Sequence, residues 1–271
     1  MGCTTGAKLF KKSNTLIAFK NKDFEIKTHR DKLILDHKHN FGVGGLNFDN
    51  NKPSGFSIGI NKHGLVAVNS HVLTTSDPSY DLLTERIVLE AKTIDEAFDI
   101  CEKEINEAQK YQWCNMVIST PDELAAIELA PPNIGIDRSS DFIIRTNHQQ
   151  TLNSNEPIIK SFGKKHLLDS IIRYEYAKKK LESCSSKQEI VSTLMSHNKN
   201  GPICRHGTNF FQKRSYFTVY SYIVIVQRNT NLSITLDIIK GSPCLNSYQN
   251  IDIDFPLDEK KRNYIQGLYP V

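Results

Sequence analysis

The chain has 271 residues, with 39% in the hydrophobic set, 24% charged and a net charge of +4. These values predict a globular protein with a sizeable core, and we expect a single domain over residues 1–271. Basic residues are not interleaved with aromatic ones, and no apolar run approaches the roughly 18 residues that span a bilayer, so nucleic acid and membranes are not expected as partners.

The sequence pattern in the first half of the chain predicts mostly strands. Apolar residues run through 16–19, and a weaker alternation follows at 32–36. Segments 57–60 and 65–68 flank a turn-forming stretch at 61–64, which predicts a hairpin.

Helices and strands then follow in groups. Helices are predicted at 81–91, after Thr93, at 165–182 and at 187–195; strands are predicted at 115–119, 125–129, 142–146, 217–227 and 232–239. The helix after Thr93 begins with a capping box and carries an apolar face that extends to Ala108. Grouping by type, rather than strict alternation, predicts an α+β fold of two antiparallel sheets with a pair of helices on each outer side.

Cys3 is the most informative single residue. If Gly2 is lost, Cys3 carries both a nucleophilic sulfur and a free α-amino group, whose pKa of about 7.7–8.0 suits a base near neutral pH. One residue then supplies both nucleophile and base, which is the chemical logic of N-terminal threonine and cysteine nucleophiles. The structural alternative is a stray cysteine on a frayed terminus.

Two side chains in the first third of the chain are candidate partners of Cys3. Asp23 lies just after an apolar segment and could orient the Cys3 amine or thiol, although turns also favour aspartate. Asn69 ends the predicted strand 65–68, where its amide could donate to an oxyanion. One such donor is worth about 2.7–4 kcal/mol. A strand-terminating asparagine is the structural alternative.

Further candidates lie in the second half. Asn147 follows a predicted strand, and the neighbouring His148 is assigned no catalytic role. Arg205 offers a cation to a carboxylate or an oxyanion, or is a surface arginine. The adjacent Cys204 and His206 suggest a metal, but no second Cys/His pair stands at ligand spacing, so zinc is disfavoured and neither metal nor cofactor is expected. The six cysteines lack CxxC pairs and no signal peptide is recognised, which predicts free thiols and a cytoplasmic location.

These signals occur in a specific order along the chain. The chain resembles the N-terminal nucleophile (Ntn) hydrolase superfamily and, within it, the acyl-coenzyme A:6-aminopenicillanic acid acyltransferase-like family. The residues that carry the resemblance are 2–5, 21–23, 58–65, Arg86, 93–97, 126–128, 146–148, Ser170, Arg173, 203–206 and 241–244.

The resemblance implies a four-layer αββα sandwich with the nucleophile at the start of a central strand. It implies that Cys3 is the nucleophile, exposed by cleavage of the Gly2–Cys3 bond through self-cleavage or an aminopeptidase. Asp23 resembles the carboxylate that positions it. Asn147 and, more loosely, Asn69 resemble the oxyanion-side asparagines, and Arg205 resembles the arginine near the site.

The function implied is hydrolysis of, or acyl transfer from, a linear non-peptide amide through a Cys3 thioester. The expected partner is a small-molecule amide or acyl donor, and a homo-oligomer stays open. One alternative is a non-catalytic small-molecule-binding relative of the same fold. Another is an amidase like penicillin V acylase or bile-salt hydrolase, although Lys20 stands where that branch has arginine, and lysine cannot make the same bidentate contact. Pocket-lining residues are expected in segments 36–57 and 152–162, which the sequence predicts to be irregular.

Overall fold

The computed structural model describes residues 2–45, 55–107, 110–199, 201–207 and 215–270. The strands are Gly2–Phe10 (β1), Thr15–Phe24 (β2), Leu33–Ile34 (β3), Asn40–Gly44 (β4), Phe56–Asn61 (β5), Val66–Leu73 (β6), Trp113–Ser119 (β7), Leu124–Ala130 (β8), Asn133–Ser139 (β9), Phe142–Arg145 (β10), Phe217–Arg228 (β11), Leu232–Lys240 (β12) and Gln249–Asp252 (β13). The helices are Tyr80–Glu90 (α1), Ile94–Asn106 (α2), Asn155–Phe162 (α3), Lys164–Glu182 (α4), Lys187–Leu194 (α5) and Glu259–Leu268 (α6).

The strands form two antiparallel sheets. The first has the order β10-β1-β2-β11-β12-β13, and the second runs β3-β4-β5-β6-β7-β8-β9. β1 and β2 are neighbours near the middle of the first sheet, and they pair in register from Gly2 opposite Asp23 to Phe10 opposite Thr15. The start of β1 is therefore held by pairing with β2, and β10 pairs with the other side of β1 from Thr5 to Lys8.

Three hydrophobic clusters fill the interfaces between the layers. The first fills the space between the sheets and includes Ala7, Ala18 and Val68. The second packs α1 and α2 against the outer face of the second sheet, and the third packs α4 and α5 against the outer face of the first. The fold is thus an αββα sandwich, as expected from the sequence. Among the described residues, no helix is both long and apolar enough to span a bilayer.

Most predicted elements are present with shifts of a residue or two at their ends. The capping box predicted at Thr93 is confirmed, because its side chain accepts a hydrogen bond from the backbone N–H three residues later, and Ser186 caps α5 in the same way. The predicted hairpin turn is confirmed as well. Gly64 adopts φ +82°, and the Asn61 carbonyl accepts a hydrogen bond from its N–H at 3.0 Å.

Some predictions about local structure are wrong. Asn69 does not end a strand, since β6 continues to Leu73, and Asp23 lies within β2 rather than in a turn. The segment 152–162 is not irregular, because most of it is α3, and segment 36–57 contains β4 and the start of β5. Residues 46–54 of that segment lie outside the described residues, as does Ala108.

Candidate active site

Cys3 is the second residue of β1, and its thiol faces the other sheet. Side chains alternate along a strand, and directly paired antiparallel residues point to the same side. Cys3 pairs with Lys22 and Thr5 pairs with Lys20, whose ammonium reaches Ser57 and Asn69 on the second sheet. Only 6% of Cys3 is exposed. The sulfur therefore lies in the space between the sheets.

The main chain of Cys3 is held by two polar side chains. Its N–H donates to Asn147 Oδ1 at 3.0 Å, and its carbonyl accepts from Arg173 Nη1 at 2.7 Å. Arg173 Nη2 also donates to Asn147 Oδ1, at 2.7 Å. Two donors converge on this oxygen, so they define the orientation of the amide. Asn147 thus accepts a hydrogen bond from the nitrogen that would become the free amine if Gly2 were lost.

The nitrogen end of the Asn147 amide is also engaged. Asn147 Nδ2 donates to the carbonyl of His71 at 2.7 Å. The loop that carries Asn147 is held by Ser170, whose hydroxyl accepts from the Asn147 N–H at 2.8 Å. To donate to an oxyanion, Asn147 would have to exchange its contact with His71.

A chain of alternating charges lies on the helix side of β1 and β2. Arg205 Nε approaches Asp23 Oδ2 at 3.1 Å, and Arg205 Nη2 contacts Asp169 Oδ2. Asp169 in turn accepts from Arg173 Nε at 3.1 Å. All four residues are buried. Buried charges require such pairing, since an isolated one would cost several kcal/mol.

The pKa values of the two carboxyl groups in this charge network shift in opposite directions. Burial raises the pKa of Asp23 to about 6 against the opposing attraction of Arg205 and Arg173. Burial acts on Asp169 in the same sense, but the attraction of Arg173 and Arg205 outweighs it and lowers the pKa of Asp169. Asp169 is therefore the firmly ionised partner of the arginines, and Asp23 is the carboxyl that can change its charge near neutral pH.

Asp23 has one oxygen in a hydrogen bond and one without. Thr218 Oγ1 donates to Oδ1 at 2.8 Å, whereas Oδ2 is buried and accepts no hydrogen bond, because the Arg205 Nε–H is not aligned with it. A Cβ placed on Gly2 would lie 3.3 Å from this Oδ2. The free oxygen of Asp23 thus faces the backbone that precedes Cys3, on the side of the sheet opposite to the thiol.

Asn69 is placed on the other side of Cys3, in a network around Lys20. Lys20 Nζ donates to Asn69 Oδ1 at 3.0 Å and to Ser57 Oγ at 2.6 Å. Asn69 Nδ2 donates to Asp81 Oδ1 at 2.8 Å, to Thr84 Oγ1 at 2.9 Å and to a backbone carbonyl. Burial lowers the pKa of Lys20, and a negative charge on Cys3 would oppose that shift. Asn69 therefore supports a buried lysine on the thiol's face of the sheet.

Burial makes His71 and His148 weak bases. Burial lowers the pKa of His71 to about 3 and that of His148 to about 4, the latter with help from Arg173 and Arg145. The Nδ1 of His148 lies 2.8 Å from Ser170 Oγ. His148 therefore supports the loop that carries Asn147, in agreement with its having no assigned role in catalysis.

The structure joins Cys3 to Asn147 and Asp23 to Arg205 directly, and the ion pair of Arg173 and Asp169 connects these two pairs. Asn69 joins them only through the Lys20 network. Asp169 was missed from the sequence, and Arg173 had no role assigned. Their spacing of four on α4 is the pattern of an ordinary solvated ion pair. The two carboxylates among these residues are paired with arginines, so this site leaves no chelating set for a metal.

Chemically, the arrangement combines a buried thiol, a hydrogen-bonded main-chain nitrogen and a charge network that ends at a carboxylate oxygen that accepts no hydrogen bond. The profile of the acyl-coenzyme A:6-aminopenicillanic acid acyl-transferase family matches residues 10–234. The chain belongs to this family. The protein is accordingly an amide-bond hydrolase or acyltransferase with the Ntn-hydrolase fold. No match was found among curated proteins.

Solved structures of low sequence identity share the fold. The N-acylethanolamine-hydrolyzing acid amidase ortholog of Caenorhabditis elegans has a TM-score of 0.52 at 11% identity, over 82% of this chain and 92% of that one. Penicillin V acylase from Agrobacterium tumefaciens has a TM-score of 0.55 at 13% identity, over 93% and 86%. A mutant conjugated bile acid hydrolase from Clostridium perfringens has a TM-score of 0.50 at 12% identity, over 94% and 98%.

Proposed function

We propose that the protein is a cysteine-type amidase or acyltransferase whose nucleophile is Cys3, active after Met1 and Gly2 are removed. The observation that carries the proposal is the hydrogen bond from the Cys3 nitrogen to Asn147 Oδ1 at 3.0 Å, supported by Arg173. Once Gly2 is absent, that nitrogen is the α-amine, and the same oxygen can hold it beside its own sulfur. A thiol and a base on one residue suit nucleophilic attack on an amide.

The reaction proceeds in two steps. The α-amine takes the thiol proton as Cys3 Sγ bonds to the amide carbonyl, and the proton then passes to the leaving amine as the C–N bond breaks. A thioester remains on Cys3. Water adds to it, and the acid leaves as the thiol is restored; an amine or thiol in place of water gives transfer. Oxyanion stabilisation by Asn147 stays a prediction, because its Nδ2 donates to His71 in the present arrangement.

Exposure of the amine is the step that activates the protein. The free Asp23 oxygen beside Gly2 supports this step, since it offers an anionic partner to the new ammonium group. Self-cleavage would proceed by attack of Cys3 on the Gly2 carbonyl, followed by hydrolysis of the resulting thioester. An aminopeptidase would give the same product. In both cases the mature chain begins at Cys3.

A small-molecule amide of an acyl group and an amine is the proposed substrate class. By their names, the three similar structures act on acylethanolamines, a penicillin and conjugated bile acids, each of which fits that class. The family match supports the same class.

A cytoplasmic location is proposed as well, because all six cysteines are unpaired thiols, which a reducing compartment maintains.

Intact mass and amine release test the proposal. We expect purified protein to lack the mass of Met1 and Gly2, and to release amine from a panel of acyl-amides. Cys3→Ala should lose turnover while keeping its circular dichroism spectrum, whereas the matched control Cys184→Ser should keep turnover. Turnover by Cys3→Ala would refute the nucleophile. A mature mass that still contains Gly2 would refute the proposed amine base and favour a non-catalytic binding relative.

A further inference from the structure

Four side chains of the types that bind metals lie close together at the surface, outside the candidate active site. They are His197, Cys204, His206 and Cys244, and their ligand atoms all lie within 4.8 Å of one another. His206 Nε2 lies 3.0 Å from His197 Nε2 and 3.0 Å from Cys244 Sγ. Cys204 Sγ lies 3.5 Å from both His206 Nε2 and Cys244 Sγ. The cluster is compact enough to share one ion.

These four separations are shorter than the edges of a tetrahedral zinc site by up to about 0.6 Å, so small outward shifts of the side chains would admit the ion. With Zn–N of about 2.0–2.1 Å and Zn–S of about 2.3 Å, a tetrahedron has edges of about 3.4 Å between nitrogens, about 3.6 Å between nitrogen and sulfur and about 3.8 Å between sulfurs. Hydrogen bonds alone do not account for the cluster. His206 Nε2 carries one proton or one lone pair, so it cannot satisfy three close neighbours at once.

Three separate parts of the chain build the cluster, and backbone hydrogen bonds hold them together. The Cys204 N–H donates to the carbonyl of Ser196, next to His197, at 3.0 Å. Cys244 lies just after β12, and this turn is tied to β11 by the Gly241 N–H, which donates to Val219 O at 2.6 Å. The β11–β12 hairpin thus returns Cys244 to His206 across 38 residues. Cys244 is therefore a candidate ligand that spacing along the chain could not indicate.

We propose that His197, Cys204, His206 and Cys244 form a structural Zn²⁺ site. Both histidines bind through Nε2, and Ser242 Oγ, 3.4 Å from His206 Nδ1, is the hydrogen-bond partner that selects this tautomer. His197 and His206 are exposed and Cys204 is buried, so the ion enters from solvent and its inner side is closed. Two thiolates and two imidazoles fill all four positions, as in structural zinc sites.

The proposed zinc site is linked to the candidate active site through Arg205. Arg205 lies between two of the four ligands, and its side chain approaches Asp23 and contacts Asp169. Its carbonyl also accepts a hydrogen bond from Ser242 Oγ at 3.4 Å. A metal ion bound to both Cys204 and His206 would restrict the motion of the backbone on both sides of Arg205. Zinc would therefore act as a positioning element for the arginine.

Metal analysis of the untagged full chain tests the proposal. We expect about one zinc per chain after purification, and removal by a chelator followed by Co²⁺ loading should give the d–d and thiolate-to-cobalt charge-transfer bands of a tetrahedral Cys₂His₂ site. Cys244→Ser and His206→Asn should lower the affinity for zinc by at least about tenfold, since even residues that only support ligands cost that much, and should remove or weaken those bands.

The control is Cys184→Ser, which changes a thiol whose Sγ contacts the carbonyl of Ser186 rather than the cluster. This variant should keep zinc and the cobalt spectrum, as should Cys3→Ala. Retention of stoichiometric zinc in Cys244→Ser, or cobalt bands without a sulfur component, would overturn the proposal. So would a non-reduced intact mass lower by two hydrogens with a Cys204–Cys244 disulfide peptide, because that pair would then be a redox bond.

Discussion

Asp23 is the residue whose charge decides the electrostatic balance beside Cys3. With both carboxyls ionised, Asp23 and Asp169 balance Arg173 and Arg205. A liberated Cys3 ammonium would add a fifth charge, and the Asp23 oxygen that lies next to Gly2 and accepts no hydrogen bond is the anionic acceptor on that side. Because the pKa of Asp23 is about 6, this balance changes within the range in which enzymes are commonly assayed.

The raised pKa of Asp23 predicts a pH-dependent stability difference between wild type and Asp23→Asn. The folded pKa of about 6 lies above the ordinary value of 3.8, so the folded state binds this proton more tightly. The resulting stabilisation is present below about pH 4 and is lost as the pH rises through about 6. A difference of this size corresponds to about 3 kcal/mol, which urea unfolding of both proteins from about pH 4 to pH 7 can measure.

Asparagine does not titrate, so any constant cost of the substitution cancels in the comparison across pH. We expect the free energy of unfolding of wild type, minus that of Asp23→Asn, to fall as the pH rises. Asp252→Asn, which removes an exposed carboxyl on the edge strand β13, serves as the control for the substitution itself. A flat difference for Asp23→Asn would show that folding does not raise the pKa of this carboxyl.

At the scale of elements, α4 is attached to the start of β1 through Arg173. The guanidinium donates to the carbonyl of Cys3 and to the hydroxyl of Thr4 on β1, and its Nη2 reaches Asn147 on the loop after β10. One fully buried side chain therefore joins a helix, a strand and a loop around the same backbone. Its planar fork of five donors is suited to this task.

We predict that Arg173→Met lowers the free energy of unfolding by about 3–5 kcal/mol, because Asp169 loses one of its two buried cations and the Cys3 carbonyl loses its donor. Arg138→Met, which breaks exposed ion pairs with Asp95 and Glu123, should cost about 1 kcal/mol or less. Urea unfolding measures both values.

Arg173→Lys keeps the charge without the fork, and it serves if Arg173→Met does not fold. We expect it to lower kcat more than it raises KM, because the Cys3 nitrogen is positioned less well. Equal losses for Arg173→Met and Arg138→Met, or full kcat in Arg173→Lys, would contradict the role of Arg173 as a positioning residue.

Elements with a regular pattern could be predicted from the sequence, whereas others lacked one. β1 begins with glycine, cysteine and two threonines, which show no alternation of apolar and polar residues, and it owes its strand structure to pairing with β2 and β10. α3 has a proline at its third position, which is tolerated only in a first turn. Asp169 and Cys244 could not be assigned, because only the tertiary structure brings Arg205 to Asp169 and His206 to Cys244.

Across the whole molecule, the space between the sheets changes from apolar to polar along β1 and β2. Leu9, Leu16, Ala7 and Ala18 lie in the hydrophobic cluster between the sheets, whereas Lys20 bridges the sheets at the Cys3 end. Lys20 Nζ donates to the carbonyls and side chains of Ser57 and Asn69. The sequence identified Lys20 as a departure from a related branch, but it could not show that Lys20 contacts the opposite sheet.

We predict that Lys20→Met separates the contribution of this polar bridge from that of the apolar cluster. Methionine approximates the length of lysine but leaves Asn69 Oδ1 and Ser57 Oγ without their donor, and it removes one of the two lysines, Lys20 and Lys22, whose charges favour the ionised form of Asp81. A loss of about 2–4 kcal/mol is therefore expected in urea unfolding. Leu16→Met, on the same face of the same strand, should cost less than about 1.5 kcal/mol. Because Lys20 lies on the face of the thiol, kcat should also fall in Lys20→Met and not in Leu16→Met. If the two variants lost equal stability and both kept kcat, the polar bridge would be no more than a substitute for hydrophobic packing.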